Sequence, residues 1–477
     1  MAFNDYEAVI GLEVHVQLQT NSKLFCNSSA TYGGADNEHT CPNCAGMPGA
    51  LPVINEKAVE YSIKTGLALG CTIRKDSVFA RKQYFYPDLP RGYQISQFDK
   101  PLCENGTLEF FVDGVKKTVG ITRAHMEEDA GKSTHHGDYS LINLNRAGVP
   151  LLEIVSEPEM STPQEAAEYA RTMRKIVRYL GVCDGNLEEG SLRCDCNVSV
   201  RRKGEKKLGT KVEIKNINSF RFIEKAVEFE IQRQIDCKET GETIYQETRL
   251  YDPDKNRTFA MRSKEEAHDY RYFPDPDLLT LEIDEAQIRA IASAMPELPA
   301  ARATRFINDL GLPDYDAQAL TQEIEVADYF ERAAKTGGNA KAAANWIMTD
   351  LLRELNESKK QITDSPISSD HLGEMIALIE KGTISGKIAK TVFAEMWSTG
   401  QDPAAIVKAK GLTQITDTSA IEKIVDDVLA ANAGAVAEYR SGKEKLFGFF
   451  VGQAMKASKG QASPDVMNEI LKKKLAP

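Results

Sequence analysis

The sequence predicts an α+β protein: an open, mainly antiparallel sheet with helices on its apolar face, then an all-α domain and a short helical tail. Three observations carry this expectation. Residues 191–200 alternate without a break, Leu192, Cys194, Cys196, Val198 and Val200 against Ser191, Arg193, Asp195, Asn197 and Ser199, which is the period of a strand with one buried face. Residues 7–19 and 211–216 repeat that period, with amphipathic helical patterns between and after them. From Pro296 onward strand patterns give way to Ala-rich helical sequence.

In the first strand, Ile10, Leu12, Val14, Val16 and Leu18 take one face, leaving Glu13, His15 and Gln17 on the other. Residues two apart on a strand face lie about 6.5–7 Å from each other. Glu13 and His15 can therefore share a divalent cation with ligands from a neighbouring strand, or form a plain polar face. Cys26, Cys41 and Cys44 follow. They offer three ligands where structural zinc normally takes four, which leaves both a zinc site and free thiols open. Residues 81–97, RKQYFYPDLPRGYQISQ, mix basic, aromatic and turn residues without clear periodicity, as a binding loop would.

At 125–133, HMEEDAGKS ends like a phosphate-binding loop, but Met126 stands where that loop needs Gly, and Glu127, Glu128 and Asp129 would oppose phosphates. Three consecutive acids suit Mg²⁺, which prefers oxygen ligands. Residues 145–159 read as an apolar strand interrupted by Glu153, a carboxylate that must be solvated, paired or metal-bound. A helix is announced by Thr162 as cap, Pro163 in the first turn and Glu165 completing a capping box. Its apolar face is Ala166, Ala170, Met173, Val177 and Leu180, with Gly181 as the stop. After the strands at 191–200 and 211–216, a second helix begins at about Ser219 with Phe220, Ile223, Val227, Ile231 and Ile235 at helical spacing. Residues 261–278, dense in charge and aromatics, close the region.

The expected domains are 1–295, with the sheet, a helical domain 296–407, and a tail 408–477 in which Val466, Met467, Ile470 and Leu471 share a helix face before Lys472 to Lys474. No apolar run approaches the roughly 20 residues that span a bilayer, and the amino terminus lacks signal or transit features, so the expectation is a cytosolic protein. Nine cysteines, an odd number, argue for reduced thiols. A net charge of −11 argues against nucleic-acid binding over the whole surface, while 201–207 and 441–477 are locally basic. With no dinucleotide fingerprint, usable phosphate loop or nucleophile elbow, carboxylates, one His, Arg and Lys on an open face fit metal-assisted phosphoryl transfer. A free-standing kinase or ligase for a small carboxylic acid and a non-catalytic RNA-binding scaffold remain alternatives; the basic tail argues against the first and the carboxylate and His set against the second.

Along essentially its whole length the sequence resembles the GatB family, one of the three subunit types of the bacterial aspartyl/glutamyl-tRNA(Asn/Gln) amidotransferases. The resemblance lies in IGLEVHVQL, GMPGALPVIN, YFYPDLPRGYQISQ, HMEEDAGK, NRAGVPLLEIVSEPE, LEEGSLRCDCNVSVR, KVEIKNINSFR, RSKEEAHDYRYFPDPDL and KLFGFFVGQAMKASKG. The archaeal GatE relatives carry an extra inserted domain for which this chain has no room. The resemblance implies a glutamine-synthetase-like cradle, a helical domain and a YqeY-like tail that helps grip tRNA. It implies an ATP-dependent, glutamine-hydrolysing carbon–nitrogen ligase. ATP phosphorylates the side-chain carboxylate of Glu-tRNA(Gln) or Asp-tRNA(Asn), and ammonia displaces the phosphate. That ammonia is channelled from an amidase partner, GatA, while a small third partner, GatC, clamps the pair in a heterotrimer.

By motif, the resemblance implies Glu13, His15, Glu128 and Glu153 as the Mg²⁺ set, and Lys82 and Asp195 at the phosphorylation site or ammonia entrance. Arg193, on the same face as Asp195, is added as a phosphate-stabilising cation. Three departures stand out. Ser28 replaces the second Cys of a Cys-x-Cys found in zinc-bearing members; Asn143 stands where Asp is usual; Cys196 replaces a common Ala and reads as core packing.

Overall fold

A computed structural model describes residues 5–261, 270–415, 417–458 and 460–476. The chain forms two compact units, Met1–Pro299 and Ala300–Pro477. The first is built on a nine-stranded sheet whose strands are, in chain order, β1 (Tyr6–Gln17), β2 (Thr72–Ile73), β3 (Cys103–Val112), β4 (Val115–Glu128), β5 (Pro150–Ser156), β6 (Leu192–Arg202), β7 (Val212–Lys215), β8 (Thr248–Asp252) and β9 (Arg257–Ala260). Their spatial order is β9-β8-β7-β6-β1-β5-β4-β3-β2. Every pairing is antiparallel except β7 with β8.

The long first strand lies at the middle, between β5 and β6. Its Ile10, Leu12, Val14 and Val16 and the Cys194, Cys196, Val198 and Val200 of β6 are buried on one face. There they join one apolar core with α1 (Glu56–Ala68), α2 (Pro163–Tyr179) and α3 (Phe220–Thr240). Burying each Val or Leu is worth about 1.5–3 kcal/mol. A one-residue slip would exchange this face for the one carrying Glu13 and His15, so the register of the site is fixed by the core behind it. Cys194 and Cys196 are packing residues, as their parity predicts.

Local signals set the helices. Thr162 Oγ1 accepts from the Glu165 amide at 3.1 Å, but the Glu165 carboxylate reaches back to the Ser161 amide at 2.6 Å, so the capping box closes one residue earlier than expected. Ser219 caps α3, and Gly241, at φ +76°, ends it.

The stretch 81–97 is not an aperiodic loop. Phe79–Gln83 and Tyr93–Gln97 form an antiparallel hairpin, with Lys82 opposite Gln94. Alternation is confined to its two short arms, and the Tyr-Pro-Asp turn between them hides it. Likewise 125–128 is the end of β4 rather than a loop. Of the segment 261–278, residues 262–269 lie outside the described residues; Phe273–Pro274 adds a third strand to the hairpin.

The second unit is helical. Its buried apolar residues fall into two sets, spanning 303–407 and 421–475. In the last helix, Pro464–Leu475, Met467, Ile470 and Leu471 are buried, and Lys474 pairs with Glu422 at 2.9 Å and Asp426 at 2.6 Å. Among the described residues no helix is long and apolar enough to cross a membrane.

Candidate active site

Four strands deliver one row of polar side chains across the open face. His125 of β4 lies opposite Glu153 of β5, Glu153 opposite His15 of β1, and His15 opposite Arg193 of β6. His15 Nε2 is 3.4 Å from one Glu153 oxygen and 3.7 Å from Glu127. His125 Nε2 reaches the same Glu153 oxygen at 3.4 Å. His15, Glu127 and Glu153 present ligand atoms all within 4.8 Å of one another.

Electrostatics follow from this crowding. Burial works against the charge on His15, but the hydrogen bond and charge of Glu153, then Glu127 and Asp195, overcome it and raise the imidazole to about 9. Burial, reinforced by Glu153, pushes Glu127 up to about 7. His125 is lowered to about 4 by burial. Burial opposes ionisation of Glu153 too, but His125, His15 and Lys82 hold it below the usual carboxylate range. Two carboxylates beside a proton-holding imidazole form a site in which a divalent cation can take the place of that proton.

Lys82 projects from the hairpin. Its Nζ sits 4.9 Å from the Tyr270 ring centre and 5.8 Å from that of Tyr84. Burial disfavours its charge, but Glu127, Tyr272 and Glu153 keep it raised, so it is a cation facing the carboxylate group.

A second acidic group, Glu13, Asp195 and Glu213, lies toward the next strands. Asn197 Nδ2 donates to Glu13 at 2.9 Å, and Lys215 Nζ lies 2.6 Å from Asp195 and 3.2 Å from Glu213. Burial, then Glu153, raises the Glu13 carboxyl.

Comparison with known proteins settles the family. Residues 8–289 match the GatB/GatE catalytic domain and residues 328–475 the GatB domain. The chain is 67% identical over 476 residues to the GatB subunit of the aspartyl/glutamyl-tRNA(Asn/Gln) amidotransferase of Bdellovibrio bacteriovorus, covering all of both chains. It is 58% identical to that of Geotalea daltonii and 56% identical to that of Carboxydothermus hydrogenoformans, covering 99% of each chain. The chain belongs to the GatB family.

Seen as a GatB-family site, the geometry redistributes several expected roles. Glu128 is not with His15 and Glu153; Glu127 is. Consecutive strand residues point to opposite faces, so one of the two must turn away. Glu128 is buried against the hairpin, paired with Arg91 and accepting from the Ile95 amide at 3.0 Å. Glu13 shares the open face with His15 but groups with Asp195 and Glu213. Arg193 is engaged by buried Asp129 at 3.0 Å, which also accepts from Gln17 at 3.0 Å. Asp195 is engaged by Lys215, and Lys82 approaches from the hairpin. The sequence reading missed His125, Glu213 and Lys215 as site residues, and of the three consecutive acids 127–129 it carried only Glu128 into the ligand set. The missed signal was Arg123, His125 and Glu127 alternating with buried Ala124 and Met126. At the Asn143 departure, Asn143 Nδ2 donates to the Asp36 carboxylate; an Asp there would repel Asp36.

Proposed function

We propose that the open face phosphorylates the side-chain carboxylate of Glu-tRNA(Gln) or Asp-tRNA(Asn) with ATP and amidates it with ammonia. The observation that carries this reading is the His15, Glu127 and Glu153 group facing Lys82, in a chain whose relatives are named as subunits of the aspartyl/glutamyl-tRNA(Asn/Gln) amidotransferase. A carboxylate is a poor electrophile for ammonia. Transfer of the γ-phosphoryl group to one of its oxygens, releasing ADP, makes an acyl phosphate; ammonia attacks its carbonyl carbon, phosphate leaves, and the amide remains.

Two carboxylates and an imidazole fit Mg²⁺, with Glu127 and Glu153 as the oxygen ligands and His15 as the third. When bound, Mg²⁺ neutralises phosphate oxygens during transfer. The chain's own residues do the rest. Lys82 offsets charge on the transferring phosphoryl group. His125, neutral and buried, holds Glu153 from behind. The Asp129–Arg193 pair keeps a guanidinium at the edge of the face, where it orients an anionic substrate. Asp195, Lys215 and Glu213 line the neighbouring stretch, a polar surface suited to ammonia entering as the free base.

The reading includes the amidase GatA as ammonia source, the small partner GatC, tRNA held partly by the tail, a cytoplasmic location, and division of the chain at 295/296 and 407/408. The two buried sets of the helical unit support the second division. Purified with GatA and GatC, the chain is expected to convert Glu-tRNA(Gln) or Asp-tRNA(Asn) to the amidated form, dependent on ATP, Mg²⁺ and glutamine. ATP turnover with free glutamate but not with the aminoacyl-tRNA would replace this reading with a small-molecule ligase.

A further inference from the structure

The lysines beside the polar groups of the first unit are held in different ways. Cys44 Sγ lies 3.6 Å from that of Cys26, 3.7 Å from that of Cys41 and 3.6 Å from the Ser28 hydroxyl. Lys23, 0% exposed, donates to that Cys44 sulfur at 3.2 Å, to the His39 carbonyl at 2.7 Å and to the Leu144 carbonyl at 3.0 Å, so its donors are all taken. Lys215 is paired with Asp195 and Glu213. Lys82 differs. Among the described residues no carboxylate lies within ion-pairing distance of its Nζ, and Glu127 and Glu153 act on it through charge alone. Its neighbours are rings, Tyr270 with its centre 4.9 Å from Nζ and Tyr84 at 5.8 Å.

Both rings are anchored beside the lysine. Gln94, buried, stands opposite Lys82 across the hairpin. The Tyr84 hydroxyl donates to Gln94 Oε1 at 3.2 Å, and Gln94 Nε2 donates to the Glu128 carbonyl at 2.7 Å. Tyr84 is thereby tied to the end of β4, one residue past Glu127. The Tyr270 carbonyl accepts from the Gln83 amide at 2.9 Å, next to Lys82 in the chain. The two rings meet edge to face at 6.0 Å, Tyr270 meets Tyr272 at 6.1 Å, and Tyr272 stacks on Phe98 at 4.2 Å.

A ring face attracts an ammonium charge but does not take up its three N–H donors as a carboxylate would. On its flexible four-carbon stem, an unrestrained Lys82 would settle on Glu127 or Glu153. There it would compete with a divalent cation for the same oxygens, and its donors would be spent within the protein.

We propose that Tyr84 and Tyr270 are positioning residues that clamp the Lys82 ammonium by their rings, keeping it off Glu127 and Glu153 and its donors turned to an anionic substrate oxygen. Naming that oxygen rests on the proposed phosphoryl transfer. The effect of the clamp on the carboxylates does not.

The test uses the full chain assembled with GatA and GatC. Tyr270→Leu keeps apolar bulk but removes the ring. It should lower the transamidation kcat by about tenfold, the scale of a lost cation–π contact in a desolvated site. KM for the aminoacyl-tRNA should move by less than about twofold. Mn²⁺ titration, which needs no turnover, should show binding weakened by about fivefold, the scale of a new ion pair between Lys82 and the acids. Tyr270→Phe should recover most of both losses. Tyr84→Leu should repeat them in smaller measure, as its greater distance from Nζ requires. In a Lys82→Met background, Tyr270→Leu should change neither readout further. An equal loss with and without Lys82 would overturn the proposal and leave the tyrosines as packing residues, and so would a Mn²⁺ affinity unmoved by Tyr270→Leu. Failure of the unsubstituted assembly to form amide would sink the proposed reaction instead, while the Mn²⁺ titration would still decide the clamp.

Discussion

The first unit holds two ligand clusters of opposite design. The His15, Glu127 and Glu153 group is assembled by the register of three neighbouring strands, with an apolar core behind it fixing that register. The Cys26, Cys41 and Cys44 group is assembled by two tight loops. The first sets two carboxylates and an imidazole on one sheet face; the second sets sulfur around a fully buried lysine. The difference teaches that a group built across strands depends on the register of the whole sheet. A group built from tight loops depends only on local turns.

The largest expected effect breaks the first cluster. Glu153→Ala removes the carboxylate shared by both histidines. It should reduce transamidation by the assembled enzyme on the order of a thousandfold, the several kcal/mol a Lewis-acid cation supplies. Glutamine hydrolysis by GatA should persist. Retained transamidation would move the chemistry elsewhere.

Next comes the choice between the two adjacent acids. Glu127→Gln should weaken Mg²⁺ dependence and lower the rate by about a hundredfold, with little effect on melting. Glu128→Gln disturbs the buried contacts to Arg91 and the Ile95 amide. It should show first in stability, at about 1–3 kcal/mol. Titrating activity against Mg²⁺ and melting both variants separates the outcomes; the reverse pattern would restore Glu128 to the ligand set.

That pair also marks how far the sequence could be read. The strands at 7–19 and 191–200 were legible because alternation ran unbroken, and with them the face bearing His15, Glu13, Arg193 and Asp195. Helices were legible from their caps. Glu128 was assigned by motif alone; which of two adjacent acids shares a face with His15 is invisible until a strand is assigned at 115–128. The hairpin at 79–97 was hidden because each arm is only five residues long. The ion pairs Asp129–Arg193 and Asp195–Lys215 could not be read at all, since each joins segments whose juxtaposition depends on the sheet's register. The cysteines were legible as a cluster because their spacing is local, while the place of Ser28 and Lys23 around them was not.

A smaller effect concerns pH. Glu127 rises to about 7 and His15 to about 9. The folded chain therefore holds protons that the unfolded chain has released, and stability falls as pH rises from about 4.5 toward 9. His15 contributes fully below about 6.5 and loses its contribution as pH passes through about 9. His125, lowered to about 4, acts in the opposite sense, removing stability as pH falls below about 6.5. Without divalent metal the melting temperature should decline from pH 7 to 9, and Mg²⁺ should flatten that decline. A slope indifferent to Mg²⁺ would separate the carboxylate cluster from the metal.

The smallest catalytic effect belongs to the sulfur cluster. Lys23→Met keeps the length of the side chain but removes its three hydrogen bonds and the buried charge. Losing donors to the His39 and Leu144 carbonyls should cost about 1–3 kcal/mol, read as a lower melting temperature. Transamidation per folded enzyme should stay within about tenfold of the original, because disturbing a supporting shell costs about ten- to a hundredfold only where it orients reacting groups. A small cavity beside the sulfur cluster is lined by Cys26, Cys44, Arg91 and Glu128. If Lys23→Met abolished phosphorylation while melting normally, the two clusters would be coupled, and the division between them would fall.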